Sequence, residues 1–304
     1  MRVASIDIGT NTILLLIADV GADGSVSVIR DEQVIARLGK GVDANRQISG
    51  ETLERARSYI SRYKEIIDAA GVQRVIAGGT SFLRDARNQK EFVEFIRDKL
   101  GIEVRVLSGE EEANLTYQGS VSQFKTSEQQ HFAVLDIGGG STELTLGINE
   151  EVLQHTSIDV GSVRITERFL KVSPPSPNSL AEARQFIKNS LSVVQHPHRP
   201  TRFIGVAGTL TTLAAIDLRL KQYDRTKVTG HVLGRKTINS IFNELKGKSL
   251  DEIRSYPQIL AGRADIILAG VLILMEVLQA TKLDSITVSD SGLRFGLALS
   301  AGDR

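Results

Sequence analysis

A short sequence motif occurs twice in this chain, each time at the end of an apolar run that is the right length for one buried strand. The first copy is Asp7-Ile8-Gly9 and the second is Asp136-Ile137-Gly138. Each is followed by a turn of small or polar residues and then by further predicted strands. Two copies at the same place in two similar element strings indicate a duplicated lobe. We therefore expect the two loops to face each other across a cleft.

The predicted elements of the two halves follow the same order, which is βββαβαβα. Apolar alternation and breaker residues indicate the strands, and apolar spacing of three to four residues indicates the helices. The first half gives strands at 3–8, 12–18, 26–38, 74–77 and 103–107, helices at 49–70, 90–100 and after 108, and a loop at 78–85. The second gives strands at 132–137, 142–148, 151–158, 203–206 and 285–289, a turn at 207–209, and helices at 164–170, 180–194, 210–220, 237–245, 266–279 and from 293.

The polar, unpatterned stretch 122–130 is the expected boundary between the lobes. This divides the chain into an N-terminal lobe of residues 1–124 and a C-terminal lobe of residues 125–304. The last helix, 293–304, joins the N-terminal lobe in an alternative division. Both divisions predict the α/β class for each lobe.

Charge and composition exclude several classes of protein. The 37 basic residues nearly balance the 36 acidic ones, so nothing indicates a nucleic-acid or membrane partner, although a local basic groove stays open. The chain has no cysteine, which excludes disulfides, thiolate metal sites and a cysteine nucleophile. An acid as early as Asp7 and apolar runs far shorter than the roughly 20 residues of a membrane helix predict a cytoplasmic protein. The apolar helix 266–279 is either core or the interface of a homodimer.

The second copy of the motif leads into Gly138, Gly139, Gly140 and Ser141. Glycines let backbone N–H groups turn toward an anion, and hydroxyls add donors, so this stretch predicts a phosphate cradle. The alternative is a glycine-rich hairpin turn. A carboxylate beside phosphate is repulsive unless a cation lies between them. Asp136 and Glu143 therefore predict Mg²⁺.

Other candidates carry two interpretations each. Asp7 is a second metal-facing acid or a strand-end cap, and Gly9, Thr10 and Asn11 form the loop between its strand and the next. Gly208 and Thr209 bind an anion at a helix N-terminus or form a tight packing turn. The functional interpretation of each candidate requires the predicted cleft.

Three acids begin the helix after Ser108. Ser108 and Glu111 fit a capping box, which leaves Glu112 without a capping role. Glu112 is therefore a candidate general base that takes a proton from the water attacking phosphorus. Arg84 either grips phosphate in a bidentate way or is a surface arginine paired with Asp85.

Eight stretches together resemble the exopolyphosphatase and guanosine pentaphosphate phosphohydrolase family. They are 7–12, 80–88, 108–113, 136–144, 161–164, 207–209, 263–265 and 288–294. The resemblance implies two ribonuclease-H-like lobes of the actin and sugar-kinase superfold. It also implies that Glu112 is the catalytic base, that Asp136 and Glu143 form the metal site for Mg²⁺ or Mn²⁺, with Glu143 also catalytic, and that Arg84 binds phosphate. Loops 9–11 and 138–141 correspond to the family's phosphate loops.

Two departures from the family pattern accompany this resemblance. Long members of the family carry further helical domains, whereas this chain ends at Arg304, which puts processive action on long chains in doubt. Ser291 and Phe295 stand where the family more often has arginine and glutamate.

The resulting prediction is an enzyme that releases terminal orthophosphate from inorganic polyphosphate by Mg²⁺-assisted attack of water. Basic residues Arg37, Lys40, Arg164, Arg263 and Arg294 are candidates for lining the substrate groove. One alternative substrate is guanosine pentaphosphate, hydrolysed at its 5′ end. The alternative activities are a sensor that binds either ligand without hydrolysis and an ATP-dependent kinase of the same superfold.

Overall fold

The computed structural model describes residues 1–124, 128–193 and 200–302, which form two compact units. Unit 1 comprises Met1–Ser122 with Ser291–Arg304, and unit 2 comprises Gln123–Asp290. Each unit contains one mixed β-sheet and its own hydrophobic core. The chain therefore enters unit 2 once and returns to unit 1 for its last residues.

Unit 1 is built on a five-stranded sheet in the order β3-β2-β1-β4-β5. Its strands are β1 (Arg2–Ile8), β2 (Thr12–Val20), β3 (Val26–Ile35), β4 (Arg74–Gly79) and β5 (Val104–Val106). The helices of unit 1 that precede unit 2 in the chain are α1 (Val42–Asn45), α2 (Gly50–Ala69), α3 (Ser81–Asp85), α4 (Gln89–Leu100) and α5 (Gly109–Val121). Strands β1 and β2 are antiparallel. Strand β4 runs parallel to β1, and strand β5 runs parallel to β4.

Unit 2 has a six-stranded sheet in the order β10-β11-β9-β6-β7-β8. Its strands are β6 (His131–Ile137), β7 (Thr142–Ile148), β8 (Glu151–Ile158), β9 (Arg202–Val206), β10 (Val232–Gly234) and β11 (Ser285–Val288). Its helices are α6 (Ser162–Phe169), α7 (Pro177–Ser190), α8 (Ala207–Asp217), α9 (Arg225–Val228), α10 (Arg235–Leu245), α11 (Leu250–Arg254) and α12 (Ile267–Thr281). Without β10, the strand order matches that of unit 1.

The helix that would carry the base begins at a well-defined cap. The Ser108 side chain accepts from the Glu111 N–H at 3.1 Å, and the Glu111 carboxylate accepts from the Ser108 N–H at 2.8 Å. This is the predicted capping box, and it fixes the start of α5. Glu112 is the next residue and takes no part in the cap.

The last helix, α13 (Leu293–Leu299), packs in unit 1 against β1 and α5. Glycines let the two helix backbones approach closely, because a Cβ on Gly296 would lie 1.8 Å from the Leu115 carbonyl oxygen. The fully buried Phe295 belongs to a small core with Val3, Leu16 and Ala298. Packing thus explains the phenylalanine at this position.

Several short elements differ from the sequence prediction. The predicted loop 78–85 is the end of β4 followed by α3, and the predicted turn 207–209 is the first turn of α8. Strand β10 and helices α1, α9 and α11 were not predicted. Of the predicted helix 180–194, the last residue lies outside the described part of the chain, as do residues 125–127 of the predicted boundary.

Helix α12 is core, the first of its two predicted roles. Twelve of its residues are buried, and the nine hydrophobic ones among them belong to the main cluster of unit 2. Among the described residues, no helix is both long and apolar enough to cross a bilayer.

Candidate active site

A row of polar side chains runs across three strands of unit 2. In the strand register, Asp136 on β6 pairs with Glu143 on β7, and Glu143 pairs with Ser157 on β8. Residues that are directly opposite in a sheet lie on the same face, so both carboxylates project to one side. Glu143 is only 6% exposed, and its Oε1 accepts from the Ser157 hydroxyl at 3.0 Å. Like charges facing each other in this way destabilise a sheet unless a cation or proton intervenes.

The glycine loop that follows Asp136 is held by its carbonyl groups. The carbonyls of Gly138 and Gly139 accept backbone N–H groups at the start of α6, each at about the ordinary hydrogen-bond length of 2.9 Å. The Gly140 carbonyl accepts from Arg164 Nε at 2.8 Å. A planar trans peptide places its carbonyl and the next N–H on opposite sides. The N–H groups of Gly139, Gly140 and Ser141 therefore point away from α6, as an anion cradle requires.

The first loop of unit 1 repeats this construction. The Gly9 N–H donates to the Thr12 carbonyl at 3.0 Å, as the Gly138 N–H donates to the Ser141 carbonyl at 3.0 Å. The Thr10 carbonyl accepts from Gly39, and the Asn11 carbonyl accepts from Ala36 and Arg37. By the same peptide geometry, the N–H groups of Asn11 and Thr12 point to the other side of the loop. The repeat seen in the sequence is thus a repeat of hydrogen bonding.

The two loops differ in the residue that pairs with the aspartate before each of them. Asp7 pairs in register with Leu14, whereas the corresponding Asp136 pairs with Glu143. The carboxylate pair is therefore confined to unit 2. In unit 1, the Thr10 and Ser81 hydroxyls lie 3.0 Å apart, which links the loop to the start of α3.

Asp7 lies at the end of β1 among charged groups of unit 1. Burial, followed by the negative charge of Glu112, raises the pKa of Asp7 to about 7, against the opposing charge of Arg294. Arg294 itself is bound in a bidentate way by Asp31, at 3.0 and 2.9 Å. The environment therefore raises the proton affinity of Asp7, and a nearby cation would lower it again.

Glu112 and Arg84 form an ion pair within unit 1, with side chains that are 13% and 24% exposed. Burial raises the pKa of Glu112, although the neighbouring Arg84 charge acts in the opposite direction. Arg84 Nη1 also donates to the Leu107 carbonyl at 3.0 Å. The alternative of a surface arginine paired with Asp85 is wrong, because among the described residues Arg84 pairs with Glu112, whereas Asp85 pairs with Arg46 at 3.1 Å.

The turn of unit 2 that contains Gly208 carries a third group of candidates. Ala207 has a left-handed φ of 68°, which is strained for a residue with a Cβ. The Arg263 guanidinium lies against Gly208, where a Cβ would come within 2.3 Å of its Cζ atom. Burial lowers the pKa of Arg263. Within the described ranges, this guanidinium makes no ion pair, and its hydrogen bonds to Gly208 and Thr212 are long at 3.3 Å.

Two of the basic groove candidates are structural. Arg164, 7% exposed, holds the glycine loop and faces Asp159 at 3.6 Å. Arg294, 8% exposed, holds Asp31. Their assignment to an open substrate groove is therefore wrong. Arg37 and Lys40 remain candidates in unit 1, as does Arg263 in unit 2.

The sequence reasoning missed three groups that position the site residues: the Ser157 hydroxyl, the Leu107 carbonyl and the α6 N-terminus. Of these three groups, only Ser157 could have been noticed in the sequence. Side chains alternate between the two faces of a strand, so Ser157 lies on the same face of the predicted strand 151–158 as His155. Its partner depends on strand register, which a single sequence does not give.

The residues of unit 2 fit a hard divalent cation. Asp136 and Glu143 provide oxygen ligands on one face, beside a loop that would hold a phosphate oxygen. In the part of the chain that the structure describes, no cluster of three or more histidine or acidic side chains has metal-ligand geometry. A cation here would thus depend on substrate oxygens and water to complete its shell, which is typical of Mg²⁺.

Comparison with known proteins identifies the family. The model of the Ppx/GppA phosphatase family matches residues 16–304. The chain belongs to this family. Exopolyphosphatase 2 of Mycobacterium tuberculosis is 34% identical over 314 residues, which cover 98% of each chain.

Two further comparisons extend across the Ppx/GppA family. A crystal structure of the Aquifex aeolicus family member has a TM-score of 0.84 and 34% identity, and the match covers 99% of this chain and 97% of that one. The guanosine-5′-triphosphate,3′-diphosphate pyrophosphatase of Vibrio atlanticus is 28% identical over 99% of this chain and 59% of its own length. The predicted family and the fold class of two α/β lobes are confirmed, and the protein is a phosphohydrolase.

Proposed function

We propose that this Ppx/GppA phosphatase releases terminal orthophosphate from inorganic polyphosphate. The observation that carries the proposal is the repeated loop beside a strand-end carboxylate. The carbonyl groups of each loop are hydrogen-bonded to the protein, so that consecutive N–H groups point outward. Linear polyphosphate presents a terminal phosphoryl group with several oxygens, which such loops suit. The relative named exopolyphosphatase 2 supports this substrate class.

In the proposed mechanism, outward-facing loop N–H groups bind the terminal phosphoryl group and Arg84 neutralises its oxygens. Asp136 and Glu143 would hold Mg²⁺ or Mn²⁺, which when bound polarises a phosphoryl oxygen. Glu112 accepts a proton from water as the water oxygen bonds to phosphorus. The bond from phosphorus to the bridging oxygen breaks, and the shortened chain leaves with that electron pair. The products are orthophosphate, the shortened chain and a proton on Glu112.

The alternatives differ in what Glu112 does. A kinase of this superfold would pass the phosphoryl group to an acceptor hydroxyl and require an adenine nucleotide. A sensor would bind ligand without turnover. A buried, ion-paired carboxylate at the start of α5 favours hydrolysis over a sensor, because burying such a group has a free-energy cost that binding alone does not require.

Orthophosphate release tests the proposal directly. We would measure it from polyphosphates of several lengths and from guanosine pentaphosphate, each with Mg²⁺ and with excess EDTA. The proposal predicts Mg²⁺-dependent release from polyphosphate. No release from any chain length, or transfer to an acceptor only when ATP is supplied, contradicts it.

Guanosine pentaphosphate is a second candidate substrate with its own observation. Tyr223 is 48% exposed in unit 2, the unit that also contains the candidate Arg263. An exposed aromatic ring provides a stacking surface for a nucleobase. The Vibrio atlanticus relative, named for a guanosine substrate, supports this candidate. Faster release from the pentaphosphate than from polyphosphate would select it.

Location and assembly complete the proposal. We place the enzyme in the cytoplasm, where a chain without cysteine functions without disulfides. A homodimer is the assembly we propose to test, by light scattering during size-exclusion chromatography. A mass of one chain across the micromolar range would contradict it.

A further inference from the structure

Among the described residues, the guanidinium of Arg84 is anchored through one nitrogen, Nη1. Its Nη1 group donates to the Leu107 carbonyl at 3.0 Å and to Oε2 of Glu112. A guanidinium Nη carries two hydrogens, so these two acceptors use both. Leu107 directly precedes the N-cap of α5, so the same nitrogen contacts the residue before the helix and the acid in its first turn.

The other three N–H donors of Arg84 have no acceptor within the described residues. The neighbouring acid, Asp85, is occupied by Arg46. The Arg84 side chain is 24% exposed, so its Nε and Nη2 groups are within reach of solvent or of a ligand. These two nitrogens form the edge of a guanidinium that binds phosphate oxygens through parallel hydrogen bonds.

Glu112 is also engaged through one atom. Arg84 holds Oε2, and in the part of the chain described, Oε1 has no hydrogen-bond partner. The capping box beside it employs Glu111 and leaves Glu112 to project from the first turn of α5. Oε1 is therefore the oxygen that can accept a proton from water.

We propose that Arg84 is the positioning residue of the base as well as a phosphate ligand, and that it performs both tasks at once in the enzyme–substrate complex. Nη1 holds Oε2 of Glu112, while Nε and Nη2 hold the phosphoryl group that is attacked. One rigid, planar group then fixes the separation between the base and phosphorus. This inference rests on the proposed function, since it assigns Glu112 the role of base.

A simpler role for Arg84 makes a different prediction. If Arg84 only grips phosphate, it must leave Glu112 when substrate binds, and the ion pair exists in the free enzyme alone. The pH dependence of kcat/KM reports groups of the free enzyme, and that of kcat reports groups of the complex. The acidic limb of kcat therefore shows whether the contact persists.

In the described part of the chain, few charged groups act on Glu112. Arg84 contacts it from α3, Asp7 repels it from β1, and Arg294 of α13 acts on Asp7. Of these, Arg84 is the one that directly contacts the carboxylate. Replacing Arg84 with neutral glutamine should raise the apparent pKa of the acidic limb, because an adjacent positive charge favours ionised carboxylate.

The experiment measures the kcat and kcat/KM pH profiles for wild type, Arg84→Gln and Arg84→Lys on a polyphosphate that the wild type hydrolyses. The matched control is Arg87→Gln, an exposed arginine three positions away. We expect Arg84→Gln to move the acidic limb of kcat upward by about 1 to 3 pH units. Lysine keeps the charge but has a single nitrogen, so Arg84→Lys should lose kcat by roughly 10-fold or more with a smaller shift of the limb. The control should match wild type.

A kcat limb that stays in place in Arg84→Gln, with only KM increased, overturns the dual role and leaves phosphate binding intact. If Arg84→Gln does not fold, an unaltered kcat in Arg84→Lys overturns it instead. A wild type that releases no phosphate from any substrate refutes the proposed function itself, so the two failures are distinguishable.

Discussion

At the scale of single residues, Asp7 shows how a site can oppose the stability of its own fold. Its pKa is raised from 3.8 to about 7, chiefly by burial. The unfolded chain binds fewer protons than the folded one between these values, so the folded state loses stability as pH rises through this window. A neutral side chain at this position would therefore fold more favourably at neutral pH.

Asp7→Asn should therefore stabilise the metal-free protein above pH 7. Wild type should lose about 1.4 kcal/mol for each pH unit between roughly 4 and 7, a total on the order of 4 kcal/mol, and the variant should not. Denaturant unfolding in EDTA over this pH range measures the difference. Asp68→Asn, which removes an exposed acid on α2, is the control and should follow wild type. Parallel pH curves for wild type and Asp7→Asn would contradict the assignment.

At the scale of elements, the row of polar side chains across β6, β7 and β8 explains how Glu143 is oriented. Ser157 lies on the edge strand β8 and donates to Glu143 across the register pair. Groups that hydrogen-bond a metal-binding carboxylate fix its orientation and raise affinity for the ion.

Ser157→Ala should therefore weaken cation binding by about 10-fold. Titration calorimetry with Mn²⁺ and with Mg²⁺, in the presence of orthophosphate, measures this without turnover. Thr156→Ala is the matched control, because its side chain lies on the opposite face of β8, in register with Leu144. Equal affinities for the two variants would show that Ser157 does not support the metal site.

The contact between α5 and α13 is a second device at this scale. It depends on glycine, since a Cβ on Gly296 would lie 1.8 Å from the backbone of Leu115. Backbone atoms cannot move aside as a flexible side chain can, so a methyl group must push the helices apart.

Gly296→Ala should lower the free energy of unfolding by about 3 kcal/mol. Gly302→Ala is the control near the same end of the chain, because its Cβ would meet the Leu299 carbonyl at an ordinary 3.5 Å. Denaturant unfolding of both variants tests the prediction. If Gly296→Ala unfolds at the same denaturant concentration as Gly302→Ala, the close helix contact is not required.

At the scale of the whole molecule, long periodic elements could be predicted and their partners could not. Helix α2 follows the predicted stretch 49–70 closely because its apolar residues repeat every three to four positions. Helix α3, with five residues, and strand β10, with three, are too short to show a period. They are defined by tertiary packing instead.

The same distinction applies to the candidate site. The repeated Asp-Ile-Gly motif predicted the positions of both loops, because loop geometry depends on local residues. The ion pair of Arg84 with Glu112 joins residues 28 positions apart, so it required the fold. The structural roles of Arg164 and Arg294 also required it, because a sequence does not distinguish a buried guanidinium from one that lines a groove.

The central claim is that Glu112 activates the water that attacks the terminal phosphoryl group. Orthophosphate release by Glu112→Gln, compared with wild type on the same Mg²⁺–polyphosphate, tests it most directly, with binding of the chain measured in parallel. We expect turnover reduced by roughly 10² to 10⁴ and binding that is largely retained. Release by Glu112→Gln at the wild-type rate would contradict the claim.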